Sequence, residues 1–341
     1  MFGGSKSIVG LDIGSHSIKA VEVTRSGNTL VLTGAGQAKI TAPDRIVEAI
    51  QEVFSAGGFK TRRVVTAVSG RSVIVRYVPM MNVPDEDLRR AVAYEADKYI
   101  PFDVDEVVLD CQKVDEGAAA SPGGQIKVLL VAVKRSVIDD HVAMVQKAGL
   151  TPVVVDCDYF AIGNAFEIRA GRQGHEDSSI RALLDIGASK TSINILKGAT
   201  SHFTRDFYVA GNDVTETLAK RFGESPEDVE RMKEDPGQAL DSMKEVFAGV
   251  LEDIGSEVRL SFDYYENQFD QQVQEVCLSG GSVLFPDADK LLAETLGLQA
   301  KLWDPLEALD TSAVADQITQ VGKSSAKLAV AVGLASRLLK M

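Results

Sequence analysis

One four-residue block occurs twice, as Leu11-Asp12-Ile13-Gly14 and as Leu184-Asp185-Ile186-Gly187. Each copy closes an apolar run and precedes a β-branched one, the pattern of strand, tight turn, strand. In the first half, Ile8 to Ile13 reads as a buried strand, Gly14-Ser15-His16 as the turn, and Ser17 to Val23 as the return strand. In the second half, Arg181 to Leu196 repeats the unit. A lone Asp-x-Gly turn is ordinarily just a hairpin. Two copies imply duplicated domains that face each other. Successive backbone N–H groups at such a turn suit a phosphate. Asp12 and Asp185 stand beside the turns, where carboxylates hold Mg²⁺, typically through water. Lys19 lies just after the first turn and can meet a phosphate as a point charge. A triphosphate and its metal, clamped between two turns, is the arrangement this repeat implies.

A length of 341 residues accommodates two domains rather than one ordinary core. The net charge of −13 argues against electrostatic binding to nucleic acid or to anionic lipid, which need a basic surface. Cys111, Cys157 and Cys277 are widely separated, with neither the pairing of a disulfide framework nor zinc-ligand spacing. The start, Met1 to Ser7, lacks the apolar run of a signal peptide. No run of about 18 apolar residues suggests a membrane span, so any membrane work is expected to go through a partner.

The first 81 residues read as a core, with a helix over Asp44 to Ser55 behind an Asp cap and Gly57-Gly58 at its end. Residues 82–152 read as an inserted α+β module. Its helix runs from Asp85 to Tyr99, its strands over Val107 to Val114 and Ile126 to Val133, and its last helix over Arg135 to Gly149. Glu116 to Gln125 reads as an exposed loop. Residues 153–341 form the remainder: a strand to Asp156, a helix from Tyr159 to Arg169, a polar connection over Ala170 to Ser178, and the second lobe. There Gly211 and Asn212 open a helix whose N–H groups and dipole can face a phosphate. Ser225-Pro226 starts another helix carrying Glu230 and Lys233, and Gln238 to Gln268 a long amphipathic one. Thr191 and Ser192 stand where their hydroxyls can reach a phosphate. Late in the chain a strand delivers Gly280, Gly281 and Ser282 toward a ligand, where a Cβ would clash. The last helix, over Ala326 to Leu339, carries the small residues Ala331, Gly333 and Ala335, which let other elements approach closely, although an ordinary buried terminal helix accounts for the same residues.

Taken in order, these motifs resemble the actin, heat-shock-chaperone and sugar-kinase ATPase superfamily. The two turns are similar to its phosphate-1 and phosphate-2 loops, the Gly280-Gly281-Ser282 stretch to its adenosine motif, and the helices after Asp156 and from residue 324 to its two connectors. The resemblance implies an α/β fold of two lobes, each a duplicated ribonuclease-H-like domain, with a small inserted α+β subdomain in the first. It implies ATP and Mg²⁺ as ligands, with Gly14, Ser15, His16, Lys19, Gly187, Ser189, Thr191, Gly211, Asn212, Glu230, Lys233, Gly280, Gly281 and Ser282 around the nucleotide and Asp12 and Asp185 at the metal. A surface i,i+3 ion pair accounts equally for Glu230 and Lys233. For hydrolysis, the first connector offers Asp156 as a weak base, with Asp158 read as the cap of the next helix. The absence of a Gln there, and Ala188-Ser189 in place of two glycines, imply slow turnover at most.

Within the superfamily, the first turn and its surroundings, Tyr99-Ile100-Pro101-Phe102 and Gly211 to Thr215 are most similar to the type IV pilus-assembly branch, the sister of the cell-division branch. That implies a cytoplasmic scaffold, peripheral at the inner membrane through its partner and without direct membrane insertion. The implied partner is the N-terminal cytoplasmic tail of PilN, held in a groove among Ser69 to Met81, Asp85 to Phe102 and Val107 to Val114. Other platform proteins and assembly ATPases are further implied contacts, and nucleic acid is not. Cell-division relatives carry a membrane-binding tail after the last helix, which is expected to be missing here. A filament-forming division protein and a small-molecule kinase of the same superfamily remain the alternatives.

Overall fold

A computed structural model describes residues 7–114, 124–173, 178–315, 317 and 325–339. The first lobe is a five-stranded sheet in the order β3-β2-β1-β4-β8, made of β1 (Ser7–Ile13), β2 (Ser17–Ser26), β3 (Thr29–Lys39), β4 (Arg63–Val68) and β8 (Thr151–Cys157). The second lobe repeats it as β11-β10-β9-β12-β13, from β9 (Ile180–Ile186), β10 (Thr191–Lys197), β11 (Thr200–Phe207), β12 (Glu275–Ser279) and β13 (Ala300–Leu302). In both, an antiparallel three-strand meander is joined to two parallel strands along its first member. The duplication read from two turns is thus a duplication of whole sheets.

Between β4 and β8 lies the inserted module. Its three-stranded antiparallel sheet has the order β5-β7-β6, from β5 (Val73–Met81), β6 (Val107–Lys113) and β7 (Gln125–Lys134). The small sheet therefore begins at Val73, ahead of the boundary expected at 82. Helix α2 (Asp85–Glu95) covers it, burying Leu88 and Val92 against Val78, Val128 and Leu130. The predicted loop over 116–125 lies mostly outside the described residues. Helix α3 (Arg135–Lys147), expected in the module, instead buries Val145 in the first-lobe core beside Val9, Ile50 and Val64.

Local rules account for most helix starts. Helix α1 (Ile46–Ala56) buries Ala49, Ile50, Val53 and Phe54 at helical spacing. Asp44 does not cap it; it lies in a 3₁₀ turn over Pro43–Arg45 with no capping hydrogen bond. Helix α4 (Asp158–Gln173) runs past the predicted polar connection at 170. In the second lobe, α5 (Gly211–Phe222) ends at Gly223 in the left-handed conformation, and α6 (Pro226–Glu234) starts from Ser225, whose hydroxyl accepts from the Asp228 N–H. Helices α7 (Leu240–Phe269) and α8 (Ala288–Leu296) fill out its core.

The last described helix, α9 (Ala329–Ser336), is buried on every side. A helix apolar all round belongs in a core, and α9 lies in the core shared by the lobes, with Ile8 and Val21 from one and Leu183 and Cys277 from the other. Its approach to its neighbours is backbone to backbone. A Cβ at Gly333 would stand 1.7 Å from the Ala161 carbonyl oxygen of α4, and one at Gly10 1.9 Å from the Ala331 carbonyl oxygen. Of the small residues read from the sequence, Gly333 is thus required at one contact, while the other requires Gly10. Gly333→Ala should lower unfolding free energy in urea by about 3 kcal/mol or leave no folded protein, since neither backbone can yield. Gly249→Ala, on an open face of α7, should instead raise it by up to about 1 kcal/mol.

Candidate functional site

The two repeated turns have the same hydrogen bond. Gly14 N–H donates to the Ser17 carbonyl at 3.2 Å, and Gly187 N–H to the Lys190 carbonyl at 3.0 Å. Each bond closes the turn while the next two N–H groups, of Ser15 and His16 and of Ala188 and Ser189, donate to no partner among the described residues. Both turns line one cleft of about 1160 Å³. Asp12 and Asp185 lie on its wall at corresponding strand ends.

The second turn is fixed from behind. Its Gly187 carbonyl accepts from Gly211 N–H at 3.1 Å and Ser282 Oγ at 2.7 Å, and its Ala188 carbonyl from Asn212 N–H at 2.7 Å. The first N–H groups of α5 are therefore spent on holding the turn, a correction to their predicted role of facing a ligand. Gly211 lines the cleft, where its missing Cβ makes room for Ser282 Oγ; Asn212 does not line it. Thr191 is likewise turned inward, donating to the Val209 carbonyl at 2.7 Å.

Among the described residues, each lysine on the cleft wall except Lys327 stands on a carboxylate. Lys19 Nζ is 3.1 Å from Asp12 Oδ2. Lys233 Nζ is 2.7 Å from Glu230 Oε1, which also accepts from the Thr215 hydroxyl. Burial opposes the Glu230 charge, but Lys233 and Thr215 outweigh it and hold the carboxyl below the usual range. The pair is i,i+3 on α6, as read, yet mostly buried and on the cleft wall rather than on open surface. Burial pushes the Asp185 carboxyl up; the Ser279 hydroxyl, at 2.8 Å, opposes that and the Asp12 charge adds to it. Lys327 has no hydrogen-bonded or ionic partner among the described residues, and burial, with Lys19 nearby, pulls its amine below the usual range.

Asp156, the candidate base, is not on the cleft. Its Oδ2 takes Arg337 Nε at 2.9 Å, and its Oδ1 takes the Cys157 N–H at 2.8 Å. Asp158 faces the cleft instead, with its Oδ1 accepting the Tyr159 N–H at 2.9 Å and its Oδ2 2.5 Å from Lys190 Nζ. Strand alternation explains the exchange: residues two apart share a face only while a strand lasts, and the strand gives way to α4 between them. Lys190 and Asp206 escaped the sequence reading. Lys190 was visible as a cation within the second turn, but its carboxylate partners lie on α4 and β11.

Gly280 and Gly281 separate in role. Gly280 has φ +99°, and a Cβ there would stand 2.3 Å from the Ile186 carbonyl oxygen. Its glycine is demanded by β9, not by a ligand. Gly281, with open space where a Cβ would go, and Ser282 line the cleft.

Comparison with known proteins places this architecture. A family model described as type IV pilus assembly protein PilM matches residues 10–339. A solved PilM–PilN type IV pilus biogenesis complex is similar at 28% identity and a TM-score of 0.85, covering 98% of this chain and 99% of that one. Ethanolamine utilization protein EutJ from Carboxydothermus hydrogenoformans is similar at 15% identity and a TM-score of 0.56, over 96% of this chain and 89% of that one. MreB5 of Spiroplasma citri bound to ADP is similar at 11% identity and a TM-score of 0.50, over 98% and 96%. These last two share the two-lobed actin-like fold. Cell division protein FtsA of Bacillus subtilis (strain 168) is 21% identical over 304 residues, 79% of this chain and 67% of that protein.

The two glycines give a clean test of the site's construction. Gly280→Ala should lower stability in urea denaturation by about 3 kcal/mol, from a strained backbone and the clash with Ile186. Gly281→Ala should stay within about 0.5 kcal/mol of the parent.

Proposed function

Because the chain belongs to the PilM family of type IV pilus assembly proteins, we propose that it is a nucleotide-binding scaffold of the pilus assembly platform that takes Mg-ATP in the cleft. The carrying observation is that both repeated turns line one cleft with Asp12 and Asp185 between them. Unpartnered N–H groups on each turn offer an anion site to the phosphates. Mg²⁺ commonly takes one or two carboxylates and completes its shell with phosphate oxygens and water, and Asp12 and Asp185 supply that donor set. All of these residues line the cleft: Ser15, His16, Ala188 and Ser189 would meet the phosphates, and Glu230, Lys233, Gly281 and Ser282 the nucleoside. Lys19, now on Asp12 at the same wall, would offer its ammonium to a bound phosphate.

The partner is the N-terminal tail of PilN, gripped in a groove between the first lobe and the inserted sheet. Support comes from the 28% identical relative solved as a PilM–PilN complex and from Met81, Tyr94 and Val108, large apolar side chains exposed on the inserted module. Among the described residues no helix is long and apolar enough to cross a membrane. We place the protein in the cytoplasm, held at the inner membrane by this partner.

Titration with a fluorescent ATP analogue checks the cleft. Asp12→Ala and Asp185→Ala should each weaken magnesium-dependent binding by at least about tenfold, and parental affinity in both would remove the metal assignment. A PilN N-terminal peptide on beads should retain the protein, and a blank pulldown at micromolar concentrations would sink the scaffold reading.

A further inference from the structure

The cleft holds a second ionic cluster that the nucleotide reading leaves unused. Lys190 Nζ lies 2.5 Å from Asp158 Oδ2, 3.1 Å from Asp206 Oδ2 and 2.9 Å from Ser192 Oγ, and Ser192 Oγ donates to Asp206 Oδ1 at 2.7 Å. All three charged side chains are less than a fifth exposed. Four elements meet here: α4 gives Asp158, the second turn Lys190, β10 Ser192 and β11 Asp206. Only Asp158 and Lys190 reach the cleft wall, beside Gly187 and Asp185.

Transfer of a phosphoryl group to water needs a side chain that orients the water and takes its proton. Asp158 is the carboxylate of the first connector that faces the cleft, yet neither of its oxygens is free. One accepts the Tyr159 N–H and the other is held by Lys190. Each oxygen keeps a lone pair, but Oδ2 has a cation 2.5 Å away that a water must compete with. Burial pushes the Asp158 carboxyl up to about 6, and the Lys190 charge pulls against that rise. Its ammonium partner is also held on two sides: burial works against the Lys190 charge, but Asp158 and Asp206 outweigh it and keep the amine protonated.

We propose that Lys190 is a latch on Asp158, so that the cleft retains a nucleoside triphosphate with the base for its hydrolysis tied down. This rests on the cleft binding nucleotide. With the latch open, water adds to the terminal phosphorus and the bond from that phosphorus to the bridging oxygen breaks. Nucleoside diphosphate and inorganic phosphate leave, and the water's proton passes to Asp158 Oδ2. Lys190 acts through Asp158 and is a positioning residue. Asp156, the residue the sequence suggested, has no part in the step.

The experiment compares the full-length parent with Lys190→Met, Lys190→Gln, Lys190→Arg and the double variant Lys190→Met with Asp158→Asn. Binding of a fluorescent ATP analogue and release of phosphate from Mg-ATP are measured separately. The expected result is that Lys190→Met or Lys190→Gln binds the analogue and releases phosphate about tenfold faster than the parent. Lys190→Arg, which keeps the charge, brings the rate back toward the parent value, and Asp158→Asn removes the gain. Analogue binding with no gain in rate, or a gain that survives Asp158→Asn, overturns the latch. So does loss of folding or binding in both uncharged variants, which would make Lys190 a structural cation. Absence of binding in the parent would overturn the nucleotide reading itself, an outcome told apart by the binding measurement alone.

Discussion

The structure depends on a helix crossing in which there is no room for a methyl group. Helix α9 meets α4 at Gly333 and β1 at Gly10, in both cases against a carbonyl oxygen closer than any Cβ could stand. Close packing makes such a contact stiff, because backbone cannot move aside as a side chain can. Its consequences run to both turns. Gly10 lies on the strand that ends in the first turn. Just ahead of α9, the Ala326 carbonyl takes the Gly280 N–H at 3.1 Å, and Gly280 in turn presses on Ile186 at the edge of the second turn. One buried helix thereby links the strands that carry the two repeated turns.

Around that frame the cleft stores its cations on carboxylates: Lys19 on Asp12, Lys190 on Asp158 and Asp206, Lys233 on Glu230. Desolvated charges are costly without a partner, and in a chain of net charge −13 carboxylates are abundant. Such pairs let a cleft stay folded while empty and still offer positive charge to an anion. Lys327 differs: burial opposes its charge, the Glu234 carboxylate only partly offsets that, and no hydrogen bond or close ion pair holds it among the described residues.

The inserted module is fastened to the second lobe as well as to the first. Tyr77 of β5 is 3.1 Å from Ser201 Oγ, Ser201 donates to Asn194 at 2.7 Å, and Asn194 donates to the Tyr159 carbonyl at 2.9 Å. Lys127 of β7 lies 4.0 Å over the Phe269 ring, and Arg71, just ahead of β5, 4.6 Å over that of Tyr208. The module cannot shift against the second lobe without giving up these contacts. The hydrogen-bonded series ends one residue from Asp158, so a surface module and the floor of the cleft share a framework.

The amino-acid order alone settled what is local or repeated. Two Leu-Asp-Ile-Gly blocks foretold twin hairpins, and the fold has them with identical turn bonds. Apolar spacing foretold α1 and α7, Ser225-Pro226 the start of α6, and small residues the close crossing of α9. The two-lobed actin-like fold followed from the order of those motifs. What tertiary structure decided is which way side chains and backbone groups turn once distant elements meet. Asp156 read as the base and Asp158 as a helix cap, but β8 passes into α4 between them and only Asp158 reaches the cleft. Gly280 read as making way for a ligand but makes way for Ile186, and the N–H groups of Gly211 and Asn212 read as phosphate donors but hold the second turn. The pairing of Lys190 with Asp158 and Asp206 joins residues on separate elements. Periodicity reports the face a residue occupies within its own helix or strand; which partner waits on that face is set by the packing of elements remote in sequence.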